Sequence, residues 1–218
     1  MKPPQRIIVF FVAASSIWCL LAEFYGLCTM RTFTIYILLP ATAVLVAWAI
    51  FDRMRGDGAL WRGFVIGSIA GFVAAIAYDL FRLPFVALNI MPLYKVFPRF
   101  GAMILGQPIE QSHYSLAAQL IGWTYHFSNG ITFGIMYIAL IGEARSRTWL
   151  WGIALAAGLE LAMLFTPYPQ FFGIPVTARF VALTMAAHII FGAVMGLLSK
   201  SWAIRWNLNS LTSPLTNH

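Results

Sequence analysis

Six apolar stretches follow one another along this chain, and the length of each matches the thickness of a lipid bilayer. They cover residues 7–23, 33–51, 63–81, 115–141, 149–166 and 178–199. An α-helix needs about 20 mainly apolar residues to cross a hydrocarbon layer about 30 Å thick. Because lipid cannot satisfy unpaired backbone polar groups, such segments are helical and pack together. The sequence therefore predicts an all-α fold: a polytopic integral membrane protein built as a six-transmembrane-helix bundle.

The composition leaves little room for anything else. Of the 218 residues, 61% are hydrophobic and 10% are charged, whereas about 25% of the residues of a soluble domain are charged. We therefore expect residues 1–204 to form a single membrane domain, followed by a polar C-terminal tail at 205–218. The net charge is +7, but the basic residues are scattered at the ends of the apolar stretches and form no stripe. This pattern excludes nucleic acid as a partner.

The distribution of Lys and Arg predicts the orientation, because cytoplasmic loops are richer in these residues. Nine lie on the side that holds both termini and five on the other. Both termini are therefore predicted to be cytoplasmic, in a bacterial inner membrane. The outer loop at 82–114 contains the apolar segment 93–106, which is too short to cross. This segment predicts an interfacial or re-entrant helix, with a loosely packed surface loop as the alternative.

Small residues recur at every fourth position in these stretches, and ionisable residues occupy the same faces. Residues four apart lie on nearly the same face of a helix, and small residues let membrane helices approach closely. The pattern therefore predicts that the ionisable side chains face protein. The series are Ala118, Gly122, His126, Gly130, Gly134; Gly63, Gly67, Gly71, Ala75, Asp79; Gly152, Ala156, Glu160; Thr184, His188, Gly192, Gly196; and, less regularly, Ser15, Cys19, Glu23.

The heights of these residues follow from a rise of 1.5 Å per residue. Counted from the ends of their stretches, His126, Glu160 and His188 all lie near the midplane. Asp79 comes out about 25 Å above the cytoplasmic edge on the same count, close to Arg82. The sequence thus predicts two imidazoles and a carboxylate near the midplane. Above them, Asp79 and Arg82 would form a charged outer rim. A simpler interpretation remains open for the rim, since Asp79 and Arg82 are three residues apart and can neutralise each other.

Transport is the first function that suits these residues, because ionisable groups inside a membrane commonly mark solute and proton pathways. Histidine titrates near neutral pH, so His126, Glu160 and His188 could carry protons or bind a solute. Asn129, one turn from His126, would orient that imidazole or contact the ligand, and Asp79 with Arg82 would form an outer gate. The expected partners are the lipid bilayer and a proton, an ion or a small polar solute.

Three alternatives remain open at this stage. His126, His188 and Glu160 form a ligand set typical of zinc or another divalent metal with one position open for water, which would suit a membrane enzyme acting on a lipid or another apolar substrate. Two histidines on different helices could instead hold haem b. A structural or assembly subunit would use the small residues for packing alone. The sequence contains no GxSxG, Walker, CxxC or dinucleotide-binding motif.

Overall fold

The computed structural model describes residues 1–56 and 58–212, and these residues form helices joined by turns, without a β-strand. The all-α prediction is therefore confirmed for the described residues. In chain order, the helices are α1 (Pro3–Ala13), α2 (Ser15–Phe24), α3 (Met30–Phe33), a π-helix (Thr34–Leu38), α4 (Leu39–Met54), α5 (Ala59–Ala87), α6 (Val96–Leu105), α7 (Leu116–Ile141), α8 (Leu150–Leu164), α9 (Tyr168–Phe171) and α10 (Ala178–Thr212).

Within the described ranges, three helical runs are long and apolar enough to cross a membrane: Met30–Met54, Ala59–Ala87 and Ala178–Trp206. A fourth is obtained if α1 and α2, which are bent by 43° at their junction, are counted as one broken span. Helix α8 is apolar but has only 15 residues. Helix α7 has 26 residues but is not one of the three. The polar side chains in its middle, His126 and Asn129 among them, lower its mean hydropathy.

Large apolar side chains cover much of the outer surface. Five residues from four helices are each more than half exposed: Phe11, Leu39, Val44, Leu80 and Leu120. Water-soluble monomers rarely expose so much contiguous apolar surface. The outer surface of the bundle is therefore compatible with contact to lipid.

Helices α5 and α7 touch through their backbones where glycines face each other. A methyl group placed on Gly71 would lie 2.0 Å from the carbonyl oxygen of Gly130, and one on Gly134 would lie 1.9 Å from that of Gly67. These positions can therefore hold only glycine at the present separation of the helices. Helices α8 and α10 meet in the same way, since a methyl group on Gly152 would lie 2.3 Å from the carbonyl oxygen of Gly192. The predicted packing role of the small residues is confirmed in both helix pairs.

The connection between α5 and α7 contains the short helix α6, which is packed inside the bundle and is not a loose surface loop. A methyl group on Gly101 of α6 would lie 1.7 Å from the carbonyl oxygen of Ala118 in α7. Phe97 and Phe100 of α6 are 3% and 5% exposed. Helix α6 thus packs closely against α7.

The C-terminal boundary differs from the prediction, because α10 continues past residue 204 to Thr212. Trp202 and Trp206 pack against the cluster that contains Ile141 and Ala144, so this part of the helix has an apolar face to bury. Residues 213–218 of the predicted tail lie outside the described residues. Met1 packs against the same cluster, which places the N-terminus, the α7–α8 turn and this part of α10 at one end of the molecule.

The glycine contact between α5 and α7 can be tested by adding one methyl group. We expect Gly71→Ala to lower the free energy of unfolding by about 1–3 kcal/mol, because the added methyl group must push the two helices apart. The matched control is Gly158→Ala in α8, where a methyl group meets nothing within 4 Å. That substitution should stabilise its helix by about 0.5–1 kcal/mol. Thermal unfolding of the purified proteins in detergent measures both changes. Equal melting temperatures for the Gly71→Ala and Gly158→Ala proteins would contradict the packing described here.

Candidate functional site

A cavity of about 480 Å³ lies between α2, α5, α6, α7, α8 and α10. This volume falls within the range of about 300–1,000 Å³ that is typical of small-molecule sites. The walls are mostly apolar, with a small number of polar side chains among them. Five of the six residues predicted from the sequence line it: Arg82, His126, Asn129, Glu160 and His188.

The face of α7 that borders the cavity follows helical spacing. His126, Asn129, Gly130 and Phe133 all line it, and positions separated by three, four and seven residues share one face of a helix. The same residues that lower the hydropathy of α7 are therefore directed into the bundle. This explains how a helix with a polar middle can be accommodated among apolar neighbours.

Asp79 does not line the cavity itself but contacts His126, which does. The Nε2–H of His126 donates a hydrogen bond of 2.8 Å to Oδ2 of Asp79. The prediction that Asp79 lies well above His126 is therefore wrong. The relative height of two antiparallel helices is set by where they touch, here at Gly71 and Gly130, and not by where each apolar stretch begins.

Arg82 shares the Asp79 carboxylate with His126. It is only 4% exposed, and its Nη1 lies 3.4 Å from Oδ1 of Asp79, so the predicted ion pair between these two residues is confirmed but long. Its Nη2 donates a hydrogen bond of 2.7 Å to the carbonyl oxygen of Leu93. Among the described residues, no acceptor reaches its Nε. The hydrogen-bonding capacity of this buried guanidinium is therefore incompletely satisfied.

Aromatic side chains that the sequence analysis did not single out hold the cluster in place. The guanidinium carbon of Arg82 lies 4.5 Å from the ring centre of Tyr78 and 5.2 Å from that of Tyr94, and the ring of Phe97 stacks on that of His126 at 4.2 Å. Tyr94 Oη also donates a 2.6 Å hydrogen bond to the backbone carbonyl of Asp79. Burial raises the pKa of the Tyr94 phenol, which keeps it protonated as a donor. Only Tyr78, four residues before Arg82 on one face of α5, could have been found from spacing.

A second carboxylate and imidazole meet between α8 and α10. The Nδ1–H of His188 donates a 2.9 Å hydrogen bond to the carbonyl oxygen of Thr184, and Oε2 of Glu160 lies 3.4 Å from the same nitrogen. Glu160 is 7% exposed, so its charge has little access to water. The structure thus brings Glu160 and His188 together as predicted.

The two carboxylate–imidazole pairs are built with the same spacing. In each pair, one helix carries an acid eight residues after a contact glycine, as in Gly71 with Asp79 and Gly152 with Glu160. The partner helix carries a histidine four residues before its own contact glycine, Gly130 or Gly192. Since the paired helices run in opposite directions, contact at the glycines places acid and imidazole on the same side of the contact, about one helical turn apart along the axis, where their side chains can meet.

Tyr78 connects the two pairs. Its ring centre lies 6.1 Å from that of His126 and 5.0 Å from that of His188. His126 is paired with Asp79, whereas Glu160 lies beside His188. Among the residues that the structure describes, no group of three or more His, Cys, Asp and Glu side chains is placed to hold a metal ion. This geometry does not support the alternative metal centre of His126, His188 and Glu160.

Asn129 lines the cavity without the contact to His126 that the sequence suggested. Its Oδ1 is buried, and no donor in the described part of the chain reaches it. Two basic residues, Lys95 and Arg99, also line the cavity. Arg99 forms a 3.0 Å ion pair with Glu110, whereas Lys95 is exposed. The cavity therefore contains an unused acceptor and basic groups that the sequence analysis did not identify.

Comparison with known protein families, with curated proteins and with solved structures finds no match to this chain. The interpretation of the cavity therefore depends on its own geometry.

Proposed function

We propose that this protein conducts protons across the membrane and binds a small solute in its cavity, as a polytopic protein of a bacterial inner membrane. The observation that carries this proposal is the presence of two buried carboxylate–imidazole pairs beside one mostly apolar cavity. Intramembrane ionisable groups are costly to bury and commonly belong to transport pathways. A cavity between helices is also a common place for a ligand site.

The two pairs suit reversible protonation. A neutral imidazole donates from one ring nitrogen and accepts at the other. In His188, Nδ1 carries the proton that binds Thr184, which leaves Nε2 to accept another. In His126, Nε2 is bound to Asp79, which leaves Nδ1 in the same role. At Glu160–His188, an added proton would be balanced by the neighbouring carboxylate, so this pair can take up a proton without leaving an isolated buried charge. The Asp79 carboxylate also faces Arg82.

We further propose that the chain crosses the membrane six times, with both termini in the cytoplasm. Helix α7 has 26 residues, which amounts to about 39 Å at 1.5 Å per residue. Its polar face lies against α5 and the cavity, so it would not meet lipid. Helix α8 is shorter but is paired along its length with α10 through Gly152 and Gly192. The shared location of Met1 and Trp206 at one end supports termini on the same side.

Reporter fusions test the number of spans. If α7 and α8 cross the membrane, a fusion after Arg147 lies in the cytoplasm, where green fluorescent protein fluoresces and alkaline phosphatase is inactive. If neither helix crosses, the same position lies outside, where green fluorescent protein does not fluoresce and alkaline phosphatase is active. A fusion after Pro175 should give active phosphatase in either case and serves as the control. Phosphatase activity after Arg147 would contradict the six-span topology.

The proton pathway can be tested in liposomes that enclose a pH-sensitive dye. A membrane potential that is negative inside the liposome is imposed with valinomycin and a potassium gradient. Under this potential, we expect wild-type protein to acidify the liposome interior. Glu160→Gln keeps the size of the side chain but removes its charge and should slow acidification about tenfold or more, because proton transfer needs a titratable group.

Glu143→Gln is the matched control, because Glu143 lies in the α7–α8 turn and its side chain is 57% exposed. It should acidify at the wild-type rate. Wild-type protein that acidifies no faster than empty liposomes, or a Glu160→Gln protein that is unaffected, would contradict the proposed pathway.

A further inference from the structure

We propose that the solute bound in this cavity is an amphiphile with an anionic head group, held by Arg82 and Lys95 with its apolar tail directed deeper into the bundle. This inference rests on the proposed function, since it names the class of ligand for the same cavity. It follows from the charges, the unsatisfied polar atoms and the order of residues along the cavity walls.

The charged groups that line the cavity favour an anion. Three are basic, Arg82, Lys95 and Arg99, whereas Glu160 is the one carboxylate among the lining residues. Glu160 lies beside His188, and Arg99 is paired with Glu110. For Lys95, no hydrogen bond or ion pair is found within the described ranges. The cavity therefore has basic groups that the protein itself does not neutralise.

Arg82 is a buried basic group whose hydrogen-bond donors are not all satisfied by the protein. Its contact to Asp79 is 3.4 Å long, and the other oxygen of that carboxylate is bound to His126 at 2.8 Å. Its Nε is buried without an acceptor in the described structure. A guanidinium is suited to planar recognition of phosphate or carboxylate oxygens. An anionic head group would supply the acceptor that Nε of Arg82 lacks.

Part of the cavity wall is apolar and suits a hydrocarbon tail. Ala75, Phe133 and Phe191 are among the lining residues, and the ring centres of Phe133 and Phe191 lie 6.1 Å apart. On α5, Ala75 precedes Arg82 by seven residues, a separation of about 10 Å along the helix. The lining that α5 contributes thus changes from basic at Arg82 to apolar at Ala75, as an amphiphile changes along its length. A fully hydrated ion would leave the apolar part of this cavity without a matching partner.

A series of probes with a common ten-carbon chain tests the head-group preference. The full chain, reconstituted in nanodiscs of zwitterionic lipid, is titrated with decyl phosphate, decyltrimethylammonium, decyl maltoside and inorganic phosphate, and binding is followed by native mass spectrometry and thermal stabilisation. We expect decyl phosphate to bind about tenfold or more tightly than each of the others, because its head group can accept charge-assisted hydrogen bonds and its chain can fill the apolar part.

Substitutions locate the binding. Arg82→Gln should raise the Kd for decyl phosphate about tenfold or more, and Arg145→Gln, at the exposed α7–α8 turn, should leave it unchanged. Lys95 is exposed, so Lys95→Gln should fold normally and raise the Kd about threefold or more. If Arg82→Gln does not fold, the result for Lys95→Gln decides.

The outcomes separate this inference from the proposed function. Equal binding of inorganic and decyl phosphate, or a preference for the cationic or neutral decyl probe, would overturn the amphiphilic anion, even if proton flux depends on Glu160. A decyl phosphate Kd that is unchanged by Lys95→Gln would overturn it as well. Absence of proton flux, in contrast, would count against the transport mechanism and leave the binding result to be judged by itself.

Discussion

The backbone contact between facing glycines is the constraint on which the rest of this structure depends. At Gly71 with Gly130, and at Gly152 with Gly192, the helices are so close that a single methyl group would clash with a carbonyl oxygen. Without a hydrophobic driving force inside lipid, such close van der Waals packing is a main source of helix association. The contact also fixes the relative height of the paired helices, and therefore which side chains meet.

That fixed height gives the two acids their imidazole partners. A buried carboxylate without a partner would cost several kcal/mol or would become protonated. Because Asp79 meets His126 and Glu160 approaches His188, each acid can remain in the interior as part of a pair. The aromatic rings around Arg82 then exclude water from the first pair, and α6 supplies part of this wall. Packing and site chemistry are thus consequences of one arrangement.

The sequence was sufficient for the helical fold, for the small-residue contacts and for five polar residues that line the cavity, because helical periodicity is a local property. It was insufficient for the pairing of Asp79 with His126, because the contact between two helices is not local. The buried position of α6 was also left open, since a ten-residue apolar segment does not indicate what it packs against. Helix α10 continues into the predicted tail, where Trp206 buries apolar surface that hydropathy alone does not reveal.

Packing alone does not account for the ionisable residues in these helix pairs. Glycine and alanine at positions such as Gly71 and Ala75 already provide the close contact. Replacing a buried ion pair by apolar residues of similar volume is often neutral or stabilising, so a purely structural bundle has no need of an acid and an imidazole beside that contact. The same combination occurs in both pairs, at equivalent spacing and next to one cavity. The proposed role in binding or proton transfer would account for this recurrence.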